Sequence, residues 1–399
     1  MNVVLVHNFY QQPGGEDQVF ADEAKLLEQY GHTVSQLTVD NDDISGMGRI
    51  GLAKKTIWNR DAQKLLKDRI RECGAEVVHF HNTFPLISPA AYYAAHEAGA
   101  AVVQTLHNYR LMCPAATFYR AGQVCEKCAG RSLAWPAVAH SCYRDNRSAT
   151  AVAAGMLLYH KFKGTYQREV DVYIALTGFA ARKFVEGGLP EDRIVVKPNF
   201  VNPNPTVGPG NGDFVLFVGR LTAEKGIRAM LRAWNECAGD RGYVLKIVGD
   251  GPLRDEVETA AKQNRTIEYL GRRQSGEVYE LMGEARALIF PSEWYEGLPR
   301  TIVESMAKGT PIIASRLGSM AELVDHGRTG LLFEPGNSRD LWQQVVSVFE
   351  NRVDVLRMRR EAREEFDLHY TAERNYPQLI GCYEKAIGRA PAIMAEQRL

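Results

Sequence analysis

Arg220 and Lys225 stand five residues apart, just after Gly219. Two cations beside a glycine turn can neutralise a diphosphate, the arginine as a planar fork and the lysine as a point charge. Gly249 and Gly251 follow an apolar run. Glycines there let backbone approach a phosphate or a sugar closely. At Gly297-Leu298-Pro299-Arg300 a loop enters a helix, so N–H groups at the helix start can point at an anion. Glu296 precedes that start and Glu304 lies eight positions on. This spacing suits one carboxylate to a sugar and the other to a ribose diol. Any one of these glutamates alone reads better as solvated helix surface. The ordered run of motifs is what carries the chemistry.

The first half holds a second group. Gln12-Pro13-Gly14-Gly15-Glu16 lies between an apolar run and a helical pattern, so Gly14 and Gly15 form either an anion site at a helix start or a plain turn. Glu16 suits the positive end of that helix. His107 ends the run Thr105-Leu106-His107 and can hydrogen-bond a sugar hydroxyl or a phosphate. His79 and His81 share a strand face. Without a third ligand in view they read as polar residues lining a cleft mouth rather than as a metal pair. Cys113, Cys125, Cys128 and Cys142 fall within thirty residues, and Cys125-Glu126-Lys127-Cys128 has zinc-knuckle spacing. A structural zinc in an insertion over about residues 110–145 is the expectation, with disulfides or free thiols as the alternatives.

These residues need elements to hold them. Apolar runs at Val3–Val6, Thr33–Val39, Glu76–His81, Ala101–Leu106 and Asp171–Leu176 read as strands. Helical stretches lie between them, at Gln18–Tyr30 and Ala90–Ala98. Such alternation predicts a parallel sheet covered by helices. The Pro/Gly/Asn-rich stretch 198–212 reads as a linker. After it the alternation restarts. Strands are expected at Phe214–Val218, Tyr243–Val248, Thr266–Leu270, Ala287–Phe290 and Pro311–Ala314. Helices are expected at Gly226–Cys237, Leu253–Lys262, Ser275–Gly283 and Thr301–Lys308. The fold class is α/β: two doubly wound, Rossmann-like domains facing across a cleft, at residues 1–200 and 213–370. Residues 371–399 contain a helix, Ala372–Ile387, long enough to pack back toward the first domain.

The chain has 399 residues, 45% hydrophobic and 24% charged. That composition excludes a disordered or collagenous chain. Lys+Arg and Asp+Glu both number 48, which argues against a nucleic-acid coat protein. No Gly-x-Gly-x-x-Gly follows the first strand, which argues against a dinucleotide oxidoreductase. No signal peptide or membrane span is evident, so a cytoplasmic protein is expected. Residues 44–71 carry eight Lys/Arg against two Asp, interleaved with Ile57, Trp58, Leu65, Leu66 and Ile70. This basic amphipathic pattern reads as a solvated helix face packed on the sheet or as peripheral contact with the inner face of the plasma membrane.

From Phe217 to Pro335 above all, the sequence resembles the GT-B glycosyltransferases of family 4, a retaining group that uses nucleotide sugars. The resemblance implies transfer of a sugar from a UDP- or GDP-sugar to a hydroxyl of a glycan or lipid-linked acceptor, with no catalytic metal. It implies that Glu296 contacts donor-sugar hydroxyls, that Glu304 holds the ribose, and that Arg220 and Lys225 hold the diphosphate. Gly297, Leu298 and Pro299 fall in the same donor loop. Arg272 and, more weakly, Arg273 fall where the family holds the nucleobase. Gly14 and Gly15 match its glycine loop at the donor phosphate, and His107 its histidine against the donor sugar. The four cysteines are not part of the family pattern. A nucleotide-sugar epimerase of the same two-domain fold is the alternative.

Overall fold

Buried valines and leucines set both sheets. The computed structural model describes residues 1–11, 14–237 and 241–396. The expected Gln12 and Pro13 turn residues, and 397–399, lie outside the described residues. The chain divides into two units, one of residues 1–118, 126–199 and 375–399, the other of 119–125 and 200–374.

In the first unit the strands are β1 (Asn2–Phe9), β2 (Thr33–Asp40), β3 (Val77–Phe80) and β4 (Ala101–Leu106). A short antiparallel hairpin, β5 (Tyr119–Arg120) and β6 (Gln123–Val124), groups with the second unit. Then come β7 (Val172–Ala175) and β8 (Ile194–Val196). The six sheet strands are parallel, in the order β2-β1-β3-β4-β7-β8. Leu5 pairs with His79 and His79 with Val103, so β1, β3 and β4 end side by side. The order reverses at β1, and the loops after β1 and β3 open at that switch point, where doubly wound sheets bind ligands.

The helix Gly15–Gln29 lays Val19, Phe20, Glu23, Ala24 and Leu27 on one buried stripe. Its Phe20, Ala24 and Leu27 join Val3, Leu5, Val103 and Ile174 in the core, with Leu379, Tyr383 and Ala386 from the helix Ala372–Glu396. The helix Arg60–Cys73 is capped by Asn59, whose side chain accepts from Asp61 N and Ala62 N, and stops at Gly74 in the left-handed region, φ 60°. It buries Ala62, Leu66 and Ile70. Of the apolar residues in the basic stretch, Leu66 and Ile70 are therefore buried, while Ile57 and Trp58 are half-buried and Leu65 is exposed.

The second unit repeats the plan with β9 (Phe214–Val218), β10 (Val244–Val248), β11 (Ile267–Gly271), β12 (Ala287–Phe290), β13 (Ile312–Ser315) and β14 (Gly330–Phe333). All are parallel, in the order β11-β10-β9-β12-β13-β14, with the switch between β9 and β12. The helix expected over 226–237 is divided into Ile227–Arg232 and a π turn, Ala233–Cys237. The stretch read as a free linker is strapped down for much of its length. Arg359 donates to Gly208 O, Arg363 to Pro205 O, and Gly210 N to Gly283 O. Its lack of periodicity hid these bonds, which are made by its backbone carbonyls and N–H groups. Among the described residues no helix is long and apolar enough to cross a membrane.

Candidate functional site

In the second unit the site is built where β9, β10 and β12 end. Gly249 has φ 147°, and a Cβ there would stand 1.8 Å from Gly219 O; Gly251 has φ 158°, and a Cβ there 2.6 Å from Leu221 O. Neighbouring loops demand these two glycines before any ligand does. A Cβ on Gly226 would lie 1.9 Å from Pro291 O, so the loop after β9 presses on the loop after β12. Glu293 N donates to Glu224 O at 2.8 Å and fixes the two together.

That contact delivers Lys225 to Glu296. Lys225 Nζ lies 2.7 Å from Glu296 Oε1, and Ser292 Oγ donates to the same oxygen at 2.6 Å. The ammonium also sits 5.3 and 5.4 Å from the ring centres of Phe290 and Trp294, a cation–π arrangement. Glu296 is buried, whereas Lys225 is partly open to solvent. The pair can therefore offer a fixed cation to an anion and a fixed acceptor to a hydroxyl. Arg220 is exposed, with no side-chain partner among the described residues, and so is Arg272. Arg273 faces Glu277 across 3.9 Å. Glu304 accepts from Arg300 Nε at 2.8 Å and from Tyr279 Oη at 3.2 Å, within the helix Arg300–Ala307 and its neighbour. No side chain caps that helix where Gly297, Leu298 and Pro299 lead into it. Its first N–H groups suit an anion.

In the first unit Gly14 behaves differently from Gly249. Its φ is −136°, a value any residue adopts, and a Cβ on Gly14 or Gly15 would meet nothing within 4 Å among the described residues. The fold does not need glycine here, and the space left open suits a ligand. Gly14 N is held by Asp17 Oδ2 at 2.7 Å, and Asp17 Oδ1 by the buried His7 Nε2 at 2.7 Å. Glu16 is a residue that sequence reasoning undervalued. Its Oε1 accepts from Asn108 Nδ2 at 2.9 Å, its Oε2 is buried without a partner among the described residues, and burial raises its pKa.

His107 follows β4 and is half-buried. It lines a cavity of about 50 Å³ together with His81, Asn82, Asn108 and Arg110. Its Nε2 lies 3.0 Å from His81 Nδ1. Burial, reinforced by the neighbouring His81, holds the His107 pKa well below the usual imidazole range, so the ring is neutral at pH 7.

His79 and His81 do gain a third potential ligand, Glu23, which comes from the helix after β1. The three bring ligand atoms within 4.8 Å of one another, the one such group among the described residues. Lys197 Nζ lies 2.8 Å from Glu23 Oε1 and 3.1 Å from Asn375 Oδ1. The chain's own ammonium thus occupies the cation position beside this carboxylate, and a metal ion would meet like charge at close range. Glu23 combines strong burial, which alone would raise its pKa, with Lys197 and the two histidines, which outweigh burial and hold it well below the carboxylate range.

The four cysteines expected to share a zinc do not assemble as ligands among the described residues. None of them forms a disulfide. Cys128 and Cys142 pack in one small cluster with Ala134, Ala137 and Ala154 of the first unit. Cys125 closes the hairpin segment that groups with the second unit, and Cys113 lies in the first.

The sequence matches two family models. "Glycosyltransferase Family 4" covers residues 13–205 and "Glycosyl transferases group 1" covers 212–351. An uncharacterized glycosyltransferase of Methanocaldococcus jannaschii is 30% identical over 235 residues, 58% of this chain and 65% of the relative. The 2-deoxystreptamine glucosyltransferase of Streptomyces kanamyceticus is 31% identical over 186 residues, 45% of this chain and 47% of the relative. The matched part thus spans less than two thirds of the length of these curated relatives. Among solved structures, Anabaena HepE in complex with UDP superposes with a TM-score of 0.68 at 18% identity, covering 96% of this chain and 99% of that one. Sucrose-phosphate synthase from Thermosynechococcus elongatus gives 0.70 at 16% identity, covering 97% and 99%. Two Rossmann-like units with this strand order, the two adjoining family models and these neighbours place the chain in the family 4-like glycosyltransferases of GT-B fold.

Proposed function

We propose that the protein transfers a sugar from a UDP- or GDP-sugar to an acceptor hydroxyl on a glycan or lipid-linked intermediate, with retention at the anomeric carbon. The observation that carries this reading is the Lys225–Glu296 contact at the switch point of the second sheet, fixed by Ser292 and flanked by Phe290 and Trp294. Breaking the sugar–phosphate bond leaves growing negative charge on the diphosphate. Lys225, Arg220 and the first N–H groups of the helix Arg300–Ala307 supply fixed positive charge to it. Glu296 accepts from a sugar hydroxyl, Glu304 from the ribose, and Arg272 attends the base. His107 accepts from a sugar hydroxyl, and the space at Gly14 and Gly15, open among the described residues, suits a phosphate. HepE, bound in its structures to UDP and to UDP-glucose, supports a nucleotide-sugar donor.

A donor screen tests the reading. Release of UDP or GDP from one donor, rising when a glycan or lipid-linked acceptor is added, is the expected result. An isomerised donor without any released nucleotide, or no reaction with any donor, overturns it.

The same reading places the first unit on a membrane surface. The packed helices Arg49–Ile57 and Arg147–Phe162 leave Ile50 75% and Phe162 90% exposed, and they carry Lys54, Lys55 and Lys161. Large apolar side chains among lysines suit an anionic leaflet. The protein should co-sediment with vesicles containing anionic lipid, and replacing Ile50 and Phe162 by Ser should abolish this. Equal binding to purely zwitterionic vesicles refutes the assignment.

A further inference from the structure

Behind His107 runs a line of buried groups that the reaction above does not use. His107 Nε2 is 3.0 Å from His81 Nδ1, and His81 Nε2 is 3.3 Å from Glu23 Oε2. The other oxygen, Glu23 Oε1, accepts from Lys197 Nζ. Glu23, Lys197 and His81 are all buried. Asn375 Oδ1 accepts a second hydrogen bond from Lys197, and Asn375 Nδ2 donates to Pro198 O. His79 flanks the line, with Nε2 at Thr105 Oγ1, Nδ1 at Tyr383 Oη, and the same Nδ1 3.5 Å from Glu23 Oε2.

A neutral imidazole carries one proton, and its position follows from its partners. A carboxylate at 3.3 Å would repel a bare nitrogen, so His81 carries its proton on Nε2. His81 Nδ1 is then a lone pair. At 3.0 Å from it, His107 Nε2 must donate, which leaves His107 Nδ1 unprotonated. No protein group among the described residues hydrogen-bonds that nitrogen. We infer that Glu23 is a positioning residue which, through His81, fixes His107 in the tautomer whose Nδ1 accepts a hydrogen bond from a hydroxyl of the donor sugar. This rests on the proposed function for the hydroxyl, but not for the tautomer.

Lys197 gives the inference a sharp test. In E23Q the one remaining oxygen is claimed by the Lys197 ammonium, so the amide NH2 faces His81 Nε2. His81 must then accept at Nε2 and donate from Nδ1, and His107 must accept at Nε2 and carry its proton on Nδ1. The site would present a donor where the wild type presents an acceptor.

The measurement is 15N NMR of protein labelled at its ten histidines, with His107 assigned by its loss in H107Q. In the wild type, His107 and His81 should both show a protonated Nε2 and a bare Nδ1. E23Q should reverse both, and should raise the donor KM about tenfold with a smaller change in kcat, as expected for losing one hydrogen bond. A donor lacking the contacted hydroxyl should show no difference between wild type and E23Q. A merely structural role for Glu23 would move neither the tautomer nor this selectivity. Wild-type His107 with its proton on Nδ1 overturns the inference, even if E23Q does not fold. A folded E23Q with an unchanged His107 overturns it as well. The wild-type tautomer pattern without transfer from any donor would refute the proposed function and leave the role of Glu23 standing.

Discussion

Lys225→Ala is expected to lower kcat about 10²- to 10³-fold, the scale on which one fixed charge-stabilising donor acts. The geometry concentrates the effect. Lys225 Nζ is held at 2.7 Å by Glu296 and lies between Phe290 and Trp294, so it costs little to align when charge grows on the diphosphate. Its removal also leaves a buried carboxylate that has lost its cation. Glu296→Gln should lose a comparable factor, because the sugar contact and the lysine's anchor disappear together. Since the two side chains act as one unit, the double variant should be little worse than either single variant. Initial rates of nucleotide release, with thermal unfolding as the check on folding, decide the matter. A Lys225→Ala rate within fivefold of the wild type would sink the site assignment, and strictly additive losses would sink the coupling.

The sequence carried the alternation of strands and helices well, because buried parallel strands are short apolar runs that turn residues bound sharply. The placement of the candidate residues at strand ends was legible for the same reason. His107, Arg220 and Glu296 each stand within six residues of the end of a strand whose apolar run is unmistakable. Contacts across long sequence separations were not legible. Glu23 was the clearest missed signal, a charged residue inside the apolar stripe Val19-Phe20-Ala24-Leu27, where a buried carboxylate must find a partner. Its partner Lys197 lies 174 residues away along the chain, and Asn375, which accepts from Lys197, a further 178. Nor did residue type separate the glycines. Gly249 is demanded by a neighbouring backbone oxygen, whereas a Cβ on Gly14 would meet nothing among the described residues, a difference that residue type does not show. The basic stretch shows the converse. Its charge pattern was plain, but Leu66 and Ile70 are spent on the core, and the exposed apolar residues nearby come partly from a helix a hundred residues on.

Lys197→Met should destabilise the protein by about 3–5 kcal/mol, the usual consequence of removing one member of a buried ion pair. Lys197 emerges at the end of β8, its N–H bonded to Ala175 O, and reaches Glu23 in a region without solvent. Without the ammonium, the carboxylate keeps only His79 and His81, so either a histidine or Glu23 itself must take up a proton. The pH dependence follows. In the wild type the Glu23 pKa is held below its ordinary 4.5, so this stabilisation is present above that value and is lost as pH falls through the folded-state pKa. In Lys197→Met the pKa of Glu23 rises, and acidification costs the variant less. The deficit measured by urea unfolding should therefore be largest at pH 7 and smaller near pH 4. A deficit below about 1 kcal/mol at pH 7, or one that grows on acidification, would refute the account. Pairing the change with Glu23→Leu removes the stranded charge and should restore most of the stability, as apolar replacement of a buried pair does. That double variant should fold but leave His81 Nε2 without its carboxylate. Stability should then return without the donor affinity, which separates what the ion pair does for the fold from what it does for His107.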